Sequence, residues 1–204
     1  CLGVFMSTNY KISSDLDEAK AMVDGLADYV RGEELYGHAD GGFFSKMPSL
    51  TVGALVMRLR RLEALRPTLK PAQMQDLDAA LDKWEGVRKE WMLHYEQKVT
   101  QEIDSRLNSM QTFFRECADS MQNCENNYRP EIQKRTIVQE LLNEMDALKL
   151  DKKDLTDLVN TADSKLRGYM RPDEFQWSSE LEAVYPKKEY WWLYQKPPKA
   201  TEEK

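Results

Sequence analysis

Apolar residues recur along most of this chain in steps of three and four, the spacing of one helix face, and no segment alternates in the two-residue rhythm of a half-buried strand. The pattern predicts an all-α fold. Its longest expression is the stripe Leu77, Leu81, Trp84, Trp91, Tyr95, Val99, Ile103, Leu107, Met110, Phe114, Cys117, Met121 and Cys124. Steps of three and four mix at its ends, while the middle advances by repeated fours, a local unwinding of a coiled-coil repeat. Pro71 suits the first position of such a helix. Only Gly86 interrupts helix propensity, at a cost of about 1 kcal/mol relative to alanine. The expectation is one coiled-coil-like helix of roughly 50 residues, about 75–80 Å long. Asn126, Asn127 and Pro130 should end it, because the residue before a proline is pushed out of the helical region.

Shorter helices flank it. One is expected from residue 14 to about 35, with Asp17 and Glu18 in a first turn that favours acids. The glycine-rich stretch YGHADGGFFSKMPS then reads as a loop. After Pro48 and Ser49 comes a helix carrying Leu55, Leu59, Leu62, Leu65 and Leu69, ended by Pro67 and Pro71. Pro130 should open a fourth helix, reaching about Leu148 with Ile137, Val138, Leu141 and Met145 inward. Asp151 can cap a fifth, through Leu155, Leu158, Val159, Ala162, Leu166 and Met170, and Pro172 should start a short sixth that ends before Pro186. Together these predict an elongated helical bundle over residues 14–185, with a flexible N-terminal extension at 1–13 and an aromatic arm and disordered tail at 186–204. The second and fourth helices each cover only some 30 Å of the long one. Its centre, Trp91 to Leu107, is thus left for the first and fifth helices, a second copy or another protein to cover.

Composition narrows the functional classes. A length of 204 residues fits one domain, and 41% hydrophobic with 31% charged residues suits amphipathic helices. A formal net charge of −6 gives no global attraction to nucleic acid or to an anionic membrane. The best uncharged run, SLTVGALVM, stops at Arg58, short of the roughly 20 residues of a membrane span. Three cysteines are an odd number. In one continuous helix Cys117 and Cys124 would lie roughly 10 Å apart along the axis, too far to bridge, so they read as reduced core residues of a cytoplasmic protein. The rival reading of Cys1 is a lipidated N-terminus; Met6-Ser7-Thr8 looks instead like a natural start.

Catalytic and cofactor signatures fail one by one. GEELYGHA has two glycines at phosphate-loop spacing, but His38 and Ala39 stand where Lys and Ser or Thr are needed. His38 and His94 are the only histidines, and neither sits in a zinc or di-iron arrangement; Glu90 and His94 share a face as a surface pair. No metal or cofactor is expected, and the reading is non-enzymatic. The cluster RLRRLEALR offers Arg58, Arg60, Arg61 and Arg66 to a nucleic acid as an alternative function. On a helical wheel, however, they scatter, which argues for ion pairs with acids on the first and third helices.

The aromatic segments give the leading reading. Phe43 and Phe44 sit in the glycine-rich loop, and Tyr190, Trp191, Trp192 and Tyr194 crowd into EYWWLYQKPP. No regular element can hide that run on one face, so it must dock, either on its own bundle or on a partner, where Trp and Tyr are typical anchors. The expected function is a structural or adaptor subunit that binds protein partners, or itself, through helical packing and these six aromatic residues.

Overall fold

A computed structural model describes residues 10–39 and 48–199. The fold is helical. Its helices are α1 (Ile12–Arg31), α2 (Val52–Ala64), α3 (Pro71–Glu90), α4 (Met92–Asp119), α5 (Met121–Ala147) and α6 (Lys153–Tyr169). Two antiparallel ladders of two residues each close the loops: Gly37–His38 with Ser49–Leu50, and Arg171–Pro172 with Gln195–Lys196. The expected sixth helix after Pro172 is replaced by one of these ladders and a 3₁₀ turn at Ser179–Leu181.

Pro71 opens α3 as expected, but the 50-residue helix does not form. Trp91, at φ −115° and ψ 36°, separates α3 from α4, although its amide still donates to the Val87 carbonyl at 2.9 Å. At Ser120 (φ −157°, ψ 127°) the chain leaves the helical region for one residue and returns antiparallel as α5. The α4–α5 hairpin is the most extensive helix pairing in the fold. It buries Tyr95, Val99 and Ile103 completely, so the centre of the stripe needs no outside cover.

The reversal also overturns the reading of the cysteines. Cys117 in the last turn of α4 and Cys124 in the first turn of α5 face each other with Cα atoms 4.4 Å apart and form a disulfide. The helical-rise argument assumed a straight segment. With a bridge in place, the free-thiol ground for a cytoplasmic location no longer applies, since disulfides persist mainly in oxidising compartments. Among the described residues no helix is long and apolar enough to cross a membrane.

Pro130 does not stop a helix either; it lies inside α5. An internal proline costs about 3 kcal/mol through a lost hydrogen bond and a clash with the preceding turn. Here Pro130 is exposed, and the carbonyl it deprives belongs to exposed Asn126, so water can replace the missing donor. Cys124, Tyr128 and Ile132 are buried on either side and hold both turns against the core.

The start of α2 is built from a buried carboxylate. Thr51 accepts from the Ala54 amide as N-cap, and Glu102 of α4, wholly buried, receives the Thr51 hydroxyl at 2.7 Å and the Gly53 amide at 2.8 Å. Arg106, one turn on, pairs with Glu102 at 2.7 Å. The anion sits where the helix dipole is positive, with its charge matched. Gly53 is required for the approach, since a Cβ there would lie 2.4 Å from Ile137 Cγ2 and 2.9 Å from Glu102 Oε1.

Candidate functional site

The aromatic run forms a 3₁₀ turn, Trp191–Tyr194, sandwiched between α5 and the segment 173–185. Main-chain bonds fix it: the Asp173 amide donates to the Tyr194 carbonyl at 2.9 Å and the Gln176 amide to the Leu193 carbonyl at 2.8 Å. Trp192 is 1% exposed. Its indole N–H donates to Thr136 Oγ1 at 2.9 Å, and the Arg135 guanidinium lies 4.0 Å from its ring centre. Tyr190 donates to Glu140 Oε1 at 3.1 Å, and Tyr194 to the Tyr185 carbonyl at 2.9 Å.

Of the aromatic residues expected to anchor a partner, Tyr190, Trp192 and Tyr194 are therefore buried within their own chain. Trp191 is half-buried, with Arg167 stacked 3.6 Å over its ring. A run packed from two sides needs no polar face, which is why neither strand nor helix periodicity suited it. Phe43 and Phe44 lie outside the described residues.

The arginine cluster is spent on internal pairs. Arg58 donates to Glu18 at 2.7 Å and to the Ala54 carbonyl at 2.9 Å. Arg61 donates to the Tyr185 hydroxyl at 2.7 Å and lies 3.6 Å from Asp15, which also accepts from Tyr10. Arg66 pairs with Glu63 and, at 2.8 Å, with Asp78. Arg60 reaches Glu140 at 2.7 Å. Helices α1 and α3 thus supply partners as the scatter implied, while Arg60 finds its carboxylate on α5. The four guanidinium groups do not form one free basic face.

Glu140 and Glu144, a turn apart on α5, belong to no motif in the sequence. A signal was available, because Glu144 follows buried Ile137 by two helical turns on the same face. Glu144 Oε1 accepts from Arg88 at 2.9 Å and from the Tyr95 hydroxyl at 3.2 Å, and Tyr95 in turn accepts from the Trp84 indole at 3.1 Å. Both glutamates line a cleft of about 310 Å³ between α2, α3 and α5. Among the described residues no group of three or more His, Cys, Asp or Glu is placed to hold a metal ion.

Burial pushes the Glu140 carboxyl above the ordinary carboxylate range, against the opposing pull of Arg60 and the hydrogen bond from Tyr190. The folded chain then holds this proton more tightly than the unfolded chain. Glu140's contribution to stability must therefore fall as pH rises through the window between the ordinary carboxylate value and the raised one. In urea titrations across that window, Glu140→Gln should lose less stability with rising pH than the unaltered protein. Equal slopes would assign the dependence to other groups.

At the α3–α4 junction the apolar surface is open instead. Leu93 is 72% exposed and Met92 is also exposed, beside half-buried Trp91, whose ring carries Arg31 at 5.1 Å. Exposed Lys89, Glu90 and His94 rim the pair. Compared with known proteins, the chain matches no family model, and no curated protein or solved structure is significantly similar to it.

Proposed function

We propose that this chain is a non-enzymatic helical interaction protein that meets a partner protein through the ridge Trp91–Met92–Leu93. The observation that carries the reading is the exposure of two adjacent large apolar side chains at the break between α3 and α4. Tyr190, Trp192 and Tyr194, first expected in that role, are buried within their own chain, so the contact moves to the helix junction. The rim supports a protein partner over an anionic membrane surface: Lys89 and Glu90 are of opposite sign, as at the polar edge of a protein interface, whereas a lipid-binding ridge would be flanked by basic residues.

Leu93→Glu should leave stability within about 0.5 kcal/mol of the parent, because an exposed position makes few contacts to lose. The same change should abolish recovery of the partner when tagged protein is cross-linked and purified from its native cells. If the variant recovers the same proteins as the parent, the ridge is not the contact and the reading falls.

A further inference from the structure

Residues 121–129, the first turns of α5, lie between two interruptions of the helical ladder. Ser120 leaves the helical region on one side, and on the other Pro130 has no amide to give the Asn126 carbonyl. Asn123, Asn126 and Asn127 are weak helix formers. An isolated helix shorter than about 12–15 residues is marginal in water, so this stretch persists through what ties it down. Its buried side chains are Cys124 and Tyr128. Tyr128 donates to Gln176 Oε1 at 2.8 Å, and exposed Asn127 donates to Glu116 of α4 at 3.2 Å. Cys124 is the covalent tie, through its bridge to Cys117.

We propose that residues 121–129 form a redox-released turn, helical while the bridge is closed and open once it is reduced. The rest of the hairpin stays folded, because beyond Pro130 the helix buries Ile132, Arg135, Thr136, Ile137 and Val138 without help from the turn. The reductant is an external dithiol. Its thiolate attacks one sulfur of the bridge and displaces the other, and its second thiol then displaces the sulfur held in the mixed disulfide. Two electrons and two protons pass to Cys117 and Cys124, which become thiols, and the reagent leaves as its own disulfide. Both cysteines are buried, at 3% and 0% exposed, so the attack waits on an opening of the turn, and the rate of reduction reports that opening. Opening also uncovers Phe113, which is 2% exposed and shares a recess of about 270 Å³ with Asn127. The turn stands at the far end of α4 from the Trp91–Met92–Leu93 ridge, roughly 40 Å away by helical rise, so the device goes beyond the partner-protein reading and is independent of it.

Hydrogen exchange read by mass spectrometry, on the oxidised and the dithiothreitol-reduced full chain, tests the device. Reduction should lower the protection of the amides of residues 121–129 by about tenfold or more, and leave α1, α2 and residues 132–147 within about twofold. Cys117→Ser/Cys124→Ser should reproduce the reduced pattern; if that variant fails to fold, the reduced parent carries the test. Pro130→Ala supplies the missing amide donor, so it should hold the turn closed and slow the reaction of the folded protein with dithiothreitol by about threefold or more. Unchanged protection at residues 121–129 after reduction, an equal loss across all the described helices, or a reduction rate untouched by Pro130→Ala would each overturn the proposal.

Discussion

Replacing Trp192 with alanine should destabilise the fold by about 3–5 kcal/mol, the range for truncating a large buried aromatic side chain. The indole is enclosed, and four further contacts go with it: its N–H bond to Thr136, the Arg135 guanidinium over its face, and edge contacts with Tyr190 and Trp191 at 5.6 Å. Thr136 Oγ1 would lose its indole donor, and Arg135, itself buried and held by Asp163 at 2.6 Å, would face a void. Trp192→Phe should restore most of the area but not the hydrogen bond. Trp191→Ala, at a half-buried neighbour, should cost far less. Urea unfolding followed by circular dichroism measures all three, and a loss below about 1 kcal/mol for Trp192→Ala would refute the account of the run as an internal anchor.

A comparable loss, about 3–5 kcal/mol, is expected for Glu102→Ala, because removing one partner of a buried ion pair strands the other. Arg106 would keep its charge near the core without a carboxylate, and the Gly53 amide and Thr51 hydroxyl would lose their acceptor at the start of α2. Glu102→Gln should retain part of the capping and cost less. The double variant Glu102→Ala/Arg106→Ala should be less damaging than the sum of the two single changes, since the stranded charge is gone. Strict additivity of the measured values would mean that the pair does not act as a unit.

Much of the fold was legible in the chain, but through a signal with a blind spot. The stripe from Leu77 to Cys124 identified the buried face correctly: Leu77, Tyr95, Val99, Ile103, Leu107, Met110, Phe114, Cys117 and Cys124 are all in the core. Periodicity cannot tell a straight helix from one that doubles back through a single residue. Cys117 and Cys124 point inward in both cases, and only the distance between them changes. Ser120 turns the chain without glycine or proline, whereas Pro130, the conspicuous breaker, lies on an exposed face where its cost is smallest.

The polar interior was the least legible part. Glu102, Glu140 and Glu144 became internal because groups far away in sequence converge on them, Thr51 and Gly53 on Glu102, Arg60 and Tyr190 on Glu140, Arg88 and Tyr95 on Glu144, and helical spacing carries no record of such partners. The arginine scatter was the exception. Four guanidinium groups pointing in different directions around α2 implied several surrounding elements, and α1, α3 and α5 all supply carboxylates to them.

Trp192 is separated from Thr136, its hydrogen-bond acceptor, by 56 residues, and the segment that seats it follows α6. At a translation rate of about 5–20 residues per second, α5 must wait roughly 3–11 s after its own synthesis before its aromatic cover emerges. During that interval Arg135, Thr136 and Glu140 lack their contacts with Trp192 and Tyr190. Until then the face of α5 that the aromatic run will cover presents a guanidinium, a hydroxyl and a carboxyl rather than bare hydrocarbon.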